Sequence, residues 1–489
     1  METKRKFISL MFIAFLFCAI FTPDFFSFSM RYLVIIICTI GIVWHWIRNR
    51  SIDLDKRFLS IFIGFIPFVL WLILAQIIHI VTDRANTDVY VYTLEHTLEV
   101  FLAAFLVGLF LIYVTRANGF GYSYFVKLVF IVAAIQFICV VLALVFPPVR
   151  IFFNSFIIRN SYSTKLAQLA QASNSGLVDR SYGLSNNLFD SFGFITAILI
   201  CVTYIYGMET KNNKLRIAAY FMVLMPLVNA RTGLVLAFIG LVIASLYYQT
   251  FKSVFNSLVL VAIVAVAFYF IVQNLPESMI KWLSKGIQET QSIFEGSEAS
   301  GVYAKIFERD LIFPSSMILG DGAIPKLLKQ PSVDNGYITC LWNFGIVGTA
   351  FLLFGYINMF RISYVSAATK MNKAITVVIS IIFFLYLFKI YSIDNFGGIV
   401  LVFGFVTMML VNSRAKKTKL EPARIMNSDN TVGDAPAEDA PAEEPYIVIE
   451  YVNENNSVEF PNEDSSDVIS RYFDEFNHES GIKKRRKKD

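Results

Sequence analysis

The sequence predicts an all-α polytopic integral membrane protein with about 12 transmembrane helices. Of its 489 residues, 56% are hydrophobic and 16% are charged, whereas soluble domains are about 25% charged. The mean hydropathy is +0.60. The apolar residues also form runs near the length of about 20 residues that spans a bilayer. This composition argues against a water-soluble enzyme, a nucleic-acid-binding protein and a secreted disulfide scaffold.

Twelve apolar segments account for the predicted helices, and the short seventh and eighth can form one hairpin that turns at 229–233. The segments are 7–21, 30–47, 58–81, 94–114, 125–146, 188–207, 217–229, 234–249, 257–273, 338–360, 374–391 and 394–412. Long loops at about 147–187 and 274–337 separate some of them. The second loop is expected to be partly helical, because apolar residues recur at near-helical spacing in 280–294 and 302–313.

Lys and Arg residues predict the orientation. They concentrate in one set of short connections, at 4–6, 48–57, 116, 211–216, 252, 361–373 and 414–419. The opposite short connections hold only Arg31, Arg84 and Arg231. Basic short loops stay in the cytoplasm, so both termini are predicted to be cytoplasmic and both long loops external.

The chain is predicted to divide into a membrane body, 1–412, and a cytoplasmic tail, 413–489. Residues 1–420 carry 34 basic and 20 acidic side chains, a net charge of +14, whereas residues 421–489 carry 8 and 17, a net of −9. The tail repeats Asp-Ala-Pro-Ala-Glu and ends in six consecutive basic residues. We expect it to be disordered. Its basic end either contacts anionic lipid or only keeps the chain solvated.

Ionisable residues collect near the predicted external helix ends, where they describe a polar chamber that opens outward. Because a charge in a spanning helix is costly, each is a functional hypothesis. The group comprises His79, Glu95, His96, Glu99, Arg180, Asp190, Arg231, Asp334, Lys389 and Asp394. Structural alternatives remain, since the dipole at a helix start favours Glu95 and Glu99, and Lys389 can pair with Asp394.

Metal and disulfide chemistry are not indicated. The five cysteines form no Cys-x-x-Cys pair, and four histidines in the whole chain disfavour a histidine-built metal site. Asp53-Leu-Asp55 matches the Asp-x-Asp pattern of metal-dependent sugar transferases, but it is short and lies beside Lys56 and Arg57. We interpret it as a solvated loop, and we predict neither a metal nor a cofactor.

Four short motifs occur in order on the predicted external side. They are Arg180-Ser-Tyr-Gly183, Ala230-Arg231-Thr-Gly233, Gly320-Asp-Gly322 and Asp334-Asn335-Gly336-Tyr337, the last followed by Gly345-Ile-Val-Gly348. Together they resemble the bacterial O-antigen polymerase and O-antigen ligase superfamily. The ligase branch has a histidine, then Asn, Ser or Gln, nine residues and Gly-x-x-Gly. Asp334 replaces that histidine here, which favours the polymerase branch.

The resemblance implies glycosyl transfer on the outer face of the bacterial cytoplasmic membrane. The donor is a sugar chain linked by diphosphate to a polyprenol lipid, and the reaction needs no metal and inverts the anomeric carbon. Arg180 and Arg231 are the candidates for binding the diphosphate, because arginine is always charged and binds phosphate bidentately. Asp334 is the candidate general base.

Further candidates would bind the sugar or shape the site. The substrate-binding candidates are Asn335, Tyr337, Gly183, Glu95, Glu99 and Lys389. Asp334 or Asn335 can alternatively cap the helix that follows. Gly336 would let the backbone approach the sugar closely. Gly345 and Gly348 are expected to pack helices, as small residues do in membranes.

The predicted activity is polymerisation of lipid-linked oligosaccharide repeat units into O-antigen, capsule or exopolysaccharide. Expected partners are the lipid-linked donor and acceptor, membrane lipid, a chain-length regulator and a flippase, but no nucleic acid. One alternative is the ligase that transfers finished polymer to a lipid A core. A second is an exporter, which should show broken helices, internal repeats and charges near the midplane. A third is a scaffold whose tail recruits synthesis enzymes.

Overall fold

The computed structural model describes the greater part of the body and none of the chain beyond 425. The described residues are 2–25, 28–50, 55–157, 182–187, 189–248, 255, 313–325, 327–328, 335–389, 391 and 395–425. They lie in one compact unit, Met1–Met426.

Helices make up nearly all of this part of the chain. The helices are α1 Glu2–Phe21, α2 Met30–Asn49, α3 Lys56–Thr82, α4 Thr87–Asn118, α5 Tyr122–Val145, α6 Pro147–Ile157, α7 Phe189–Glu209, α8 Asn213–Met222, α9 Leu224–Asn229, α10 Arg231–Tyr248, α11 Gly336–Ser366, α12 Lys370–Lys389 and α13 Phe396–Ile425. A 3₁₀ turn, Arg84–Asn86, joins α3 to α4. Two-residue strands, β1 Asp24–Phe25 and β2 Phe28–Ser29, pair antiparallel between α1 and α2.

Seven helices in the described residues are long and apolar enough to cross a membrane. They are Met30–Asn49, Lys56–Thr82, Arg84–Asn118, Tyr122–Val145, Asp190–Glu209, Gly336–Ser366 and Lys370–Lys389. Shorter apolar helices are Lys6–Phe21, Thr232–Tyr248 and Phe396–Val411. The predicted helical membrane class is therefore confirmed. The segment 257–273 lies outside the described residues, so twelve spans remain a prediction.

Helix α4 begins at Thr87, seven residues before the predicted start at 94. Glu95 and Glu99 therefore lie beyond its first turn, and the alternative that the helix-start dipole favours them was wrong.

Other element boundaries also differ from the prediction or refine it. The predicted loop 147–187 begins with α6, whose proline start costs no hydrogen bond because the first helical N–H groups have no partner within the helix. The predicted hairpin turns at Ala230, between α9 and α10. The helix α13 continues to Ile425, past the predicted boundary at 412. The surface helices predicted in 280–294 and 302–313 lie outside the described residues.

Helix α7 lies in the middle of the packed core. Its side chains from Phe192 to Ile205 are almost all fully buried. A Cβ on Gly233 of α10 would lie 2.3 Å from the Cα of Gly193 of α7, so these two helices cross in close contact, as small residues allow in membranes. By contrast, α2 exposes large apolar side chains such as Trp44 and Ile40, as expected of a surface that faces lipid.

Candidate functional site

The predicted site residues are only partly within the described chain. Arg180, Asp334 and Asp394 lie outside it. The backbone of Arg231 begins α10, but its side chain is also outside. The candidates that are described are Gly183, Glu95, Glu99, Asn335, Tyr337 and Lys389.

Two of the sequence motifs meet at the first turns of α7. Gly233 of the Ala230–Gly233 motif contacts Gly193 through the backbone, which brings the start of α10 against α7. Tyr182 is buried and packs edge-on against Phe192 of α7, with ring centroids 5.5 Å apart. The motifs that contain Arg180 and Arg231 therefore adjoin the same two turns of one helix.

The motif that contains Asn335 and Tyr337 approaches the same place through α12. The hydroxyls of Ser191 in α7 and Tyr386 in α12 lie 3.4 Å apart. Two residues earlier in α12, the Phe384 carbonyl accepts a hydrogen bond from the Tyr337 hydroxyl at 3.0 Å. Asn395, immediately before α13, donates to the Ser191 carbonyl at 3.4 Å. The starts of α7, α10, α11 and α13 thus lie at one end of the bundle, and we call them the helix-start cluster.

Asn335 and Tyr337 both have structural contacts within this cluster. The Asn335 side chain accepts hydrogen bonds from the backbone N–H groups of Tyr337 and Ile338, at 3.0 and 3.2 Å. It is therefore the N-cap of α11, which is the capping alternative considered from the sequence. Its Nδ2 can still donate a hydrogen bond to a sugar hydroxyl.

Gly183 has a backbone role. Its φ of +58° lies in the left-handed region, where glycine has little steric cost. The preceding residue, Tyr182, accepts a 2.6 Å hydrogen bond from Gln136 through its carbonyl. The Asn186 N–H donates to the Phe21 carbonyl at 2.9 Å. The segment Tyr182–Asn187 is thereby held between α1, α5 and α7, and substrate contact by Gly183 remains a prediction.

The two glutamates of α4, Glu95 and Glu99, lie in different environments. Glu99 accepts a 2.7 Å ion-pair contact from Arg31 of α2, and the Arg31 guanidinium lies 5.4 Å from the ring of Phe396 at the start of α13. Glu95 is exposed. Lys389 is partly buried at the end of α12. Glu99 therefore joins α2 and α4 beside the helix-start cluster, while Glu95 is open to a ligand.

Helix α11 is interrupted at Gly345, which has φ +65° and ψ −175°. The segment Gly320-Asp321-Gly322, which we call the glycine turn, fills the interruption. Its Asp321 and Gly322 N–H groups donate to the Trp342 carbonyl at 2.7 and 3.1 Å. The expectation that Gly345 packs helices was wrong, since its backbone instead turns the chain. For Gly348 it was right, because a Cβ there would lie 2.5 Å from Trp71 of α3.

The C-terminal end of α3 contacts this glycine turn. A Cβ on Gly322 would lie 2.6 Å from the His79 ring, and that ring stacks on Tyr90 with centroids 5.2 Å apart. Asp83 accepts hydrogen bonds from Asn86 and Tyr90, at 2.9 and 2.8 Å. These bonds lower the pKa of Asp83 below its ordinary value, so it remains a carboxylate near neutral pH.

Four polar residues of this region were not singled out by the sequence reasoning. Gln76, Gln136 and Asn343 are fully buried, and Arg31 makes the ion pair with Glu99 described above. The sequence contained a signal for the two glutamines, because an amide inside a long apolar run is costly without a hydrogen-bond partner. A buried charge costs more than a buried amide, so the ionisable side chains alone stood out in the apolar segments.

The Asp-x-Asp segment was interpreted from the sequence as a solvated loop, and for Asp55 that interpretation was wrong. Asp55 is buried, caps α3 by accepting from the Arg57 N–H at 2.9 Å, and pairs with the Arg57 guanidinium at 3.3 Å. Asp53 lies outside the described chain. Within the described residues, no group of three or more His, Cys, Asp or Glu side chains is placed to hold a metal ion.

Compared with known proteins, the chain matches no protein-family model and no curated protein sequence.

Proposed function

We propose that this chain is a membrane glycosyltransferase that joins polyprenyl-diphosphate-linked oligosaccharide repeat units into a longer chain. The observation that carries the proposal is the meeting of the Arg180, Arg231 and Asn335 motifs at the helix-start cluster. These motifs are far apart in sequence, and each alone is weak. Two of them contact the first turns of the buried helix α7, and the third contacts α12, which packs beside those turns. This common location supports their action on one substrate.

The cluster has the electrostatics that a diphosphate requires. The N-terminal end of a helix carries about half a positive charge and unpaired N–H groups, which together favour anions. Four such ends lie together here, and the Arg180 and Arg231 motifs are next to them. In the proposed reaction, both guanidinium groups hold the diphosphate and stabilise the charge that it gains on leaving.

The proposed reaction is a single displacement. A hydroxyl oxygen of the acceptor sugar attacks the anomeric carbon of the donor chain as the bond from that carbon to the phosphate oxygen breaks. The polyprenyl diphosphate leaves with the bonding electron pair, and Asp334 accepts the hydroxyl proton. The growing chain is the donor and the new lipid-linked unit is the acceptor. Because the anomeric carbon undergoes one displacement, its configuration inverts.

The hydrogen bonds of Asn335 and Tyr337 support more specific roles for these two sugar-binding candidates. Because the Oδ1 of Asn335 caps α11, its Nδ2 donates to the sugar in this proposal. The Tyr337 hydroxyl donates its proton to the Phe384 carbonyl, so it accepts from a sugar hydroxyl. Glu95 is exposed at the edge and is suited to accept from further hydroxyls of the repeat unit.

The cellular setting belongs to the same proposal. The site lies on the outer face of a bacterial cytoplasmic membrane, and both termini are cytoplasmic. A flippase supplies the lipid-linked units, and a separate regulator sets the length of the polymer. The ligase alternative has the same donor chemistry and differs only in its acceptor.

A lipid-linked oligosaccharide exporter is the second candidate, and the interruption of α11 is the observation that favours it. Exporters bind substrate at broken helices whose freed carbonyls face a cavity. Here protein groups bond those carbonyls. The Trp342 carbonyl accepts from the glycine turn, and the Phe344 carbonyl accepts from the Trp71 indole at 2.9 Å. A filled interruption fits a fixed site better than a transport path.

The proposal is tested by the sugar-chain ladder of a deletion strain complemented with wild type, Asp334→Ala or Asp334→Asn. We expect single repeat units without the gene, a full ladder with wild type, and a loss of polymerisation rate of about 10²–10⁴-fold for either variant, because both lack the base. The control is Asp88→Asn, which changes an exposed aspartate in the first turn of α4.

Each alternative predicts a different ladder. Full-length polymer that accumulates on the carrier lipid would favour the ligase. Repeat units confined to the cytoplasmic leaflet would favour the exporter. A full ladder from Asp334→Ala would remove Asp334 from the reaction.

A further inference from the structure

Two glutamines occupy otherwise apolar membrane helices, Gln76 in α3 and Gln136 in α5. Both side chains are fully buried. An amide in such a place costs free energy unless its groups are paired. In each, the Oε1 is buried and has no hydrogen-bond partner among the described residues. Neither glutamine therefore stabilises its own helix. The favourable contact of each is the hydrogen bond that its Nε2 donates.

Gln136 contacts the segment Tyr182–Asn187. Its Nε2 donates to the Tyr182 carbonyl at 2.6 Å. The next residue, Gly183, has the left-handed φ of +58°, and a Cβ there would lie 3.0 Å from both Gln136 and Cys139. The loop thus lies directly on α5 at this point, and one side-chain hydrogen bond joins the two.

Gln76 makes the corresponding contact with the other loop. Its Nε2 donates to the Gly322 carbonyl at 2.9 Å, and Gly322 also has a left-handed φ, of +77°. The glycine turn in turn bonds the Trp342 carbonyl where α11 is interrupted. Through the turn, Gln76 is therefore joined to the first half of α11, which begins at Asn335.

We propose that Gln76 and Gln136 are positioning residues that fix the two loops, and with them the Asn335 and Arg180 motifs, at the helix-start cluster. The link to catalysis rests on the proposed function, but the position of the loops does not. In both places a buried amide donor bonds a loop carbonyl, that of Gly322 itself or that of Tyr182 just before Gly183. The left-handed glycine has no side chain, so the loop can approach the helix. Replacing the donor leaves a buried carbonyl unpaired, and the loop then leaves the helix to reach water.

The position of each loop can be read from the reactivity of a buried thiol. Ser185 and Ala323 are fully buried and lie in the two loops. We would introduce Ser185→Cys and Ala323→Cys separately into the full chain, treat the purified protein with a maleimide, and measure modification of each site by mass spectrometry. The parent chain without an added cysteine gives the background modification of the native cysteines.

Gln136→Leu is expected to raise the modification rate at Ser185→Cys by about tenfold or more, and Gln76→Leu to do so at Ala323→Cys. Each change should leave the other loop protected. Leucine is well tolerated in spanning helices, so both variants should accumulate in the membrane. Gln136→Glu and Gln76→Glu keep the side-chain length and, when neutral, one donor, and should stay near the parent rate.

Ser363→Ala is the matched control, because Ser363 is fully buried and bonds Thr376 near the far end of α11. It should leave both rates unchanged. Unchanged rates in Gln136→Leu and Gln76→Leu would overturn the proposal, as would equal increases from Ser363→Ala.

Polymer synthesis is measured on the same variants without the added cysteines. We expect each Leu variant to lower kcat about tenfold with a smaller change in KM, because donor binding survives while reactive geometry is lost. Raised thiol reactivity with normal kcat would overturn the catalytic link. Raised reactivity together with no polymer from wild type would instead reject the proposed function and leave the anchoring intact.

Discussion

Arg231→Ala and Arg180→Ala are each expected to abolish detectable polymer while the protein still accumulates in the membrane. In the proposed reaction, the two guanidinium groups stabilise the charge on the departing diphosphate. Removing one such preorganised donor typically costs about 10²–10³-fold in rate. The measurement is the rate of bond formation with each purified variant, alongside the sugar-chain ladder of complemented cells.

Arg231→Lys and Arg180→Lys extend this test, because lysine keeps the charge and loses the bidentate fork. We expect them to recover only a small part of the activity. Arg84→Ala is the matched control, since Arg84 is exposed in the 3₁₀ turn between α3 and α4, and it should be neutral. Normal polymer length from either Ala variant would contradict the role of that arginine.

Gly345→Ala is expected to have the largest effect on folding. The backbone of Gly345, at φ +65° and ψ −175°, lies in a region that is open almost only to glycine. In addition, a Cβ there would lie 1.9 Å from the Ile318 carbonyl oxygen. The loop must then separate from α11 and leave its carbonyls unpaired. We expect a loss of at least about 3 kcal/mol, seen as poor accumulation and a lower Tm in detergent.

Gly119→Ala is the control, because Gly119 has the same φ as Gly345. Gly119 ends α4 at φ +65° and ψ 28°, and a Cβ there would meet nothing within 4 Å. We expect it to cost only about 1–2 kcal/mol, the ordinary penalty of the left-handed region. Equal Tm values for Gly345→Ala and Gly119→Ala would show that the loop does not fill the interruption of α11.

Hydropathy was sufficient to predict the helical membrane body, because a spanning helix must be apolar over most of its length. It did not predict α6, whose short segment contains Arg150 and Asn154, or the extension of α13, where Lys, Ala and Leu favour helix without being apolar throughout. The interruption of α11 was also hidden, since 338–360 is one continuous apolar run. Only Gly345 marks it, and a distant loop completes it.

Motif order and charge predict a site, and the part of that prediction which the structure confirms is Asn335 as a helix cap. The two glutamine contacts were missed because a glutamine in an apolar run does not indicate which group accepts its hydrogen bond. The partner carbonyls of Gln76 and Gln136 lie in other parts of the chain. From the sequence, Glu99 could be either a substrate ligand or a structural residue. Its ion pair with Arg31 forms because α2 packs against α4, which the sequence does not indicate.

The central claim, that this chain forms glycosidic bonds, is tested most directly with the purified full-length protein in liposomes. The substrate is the lipid-linked repeat unit extracted from the deletion strain. We predict products that grow by one repeat unit at a time, with one polyprenyl diphosphate released for each bond and both lost in Arg231→Ala. Folded protein that forms no bond, or that only moves intact units across the bilayer, would contradict the account.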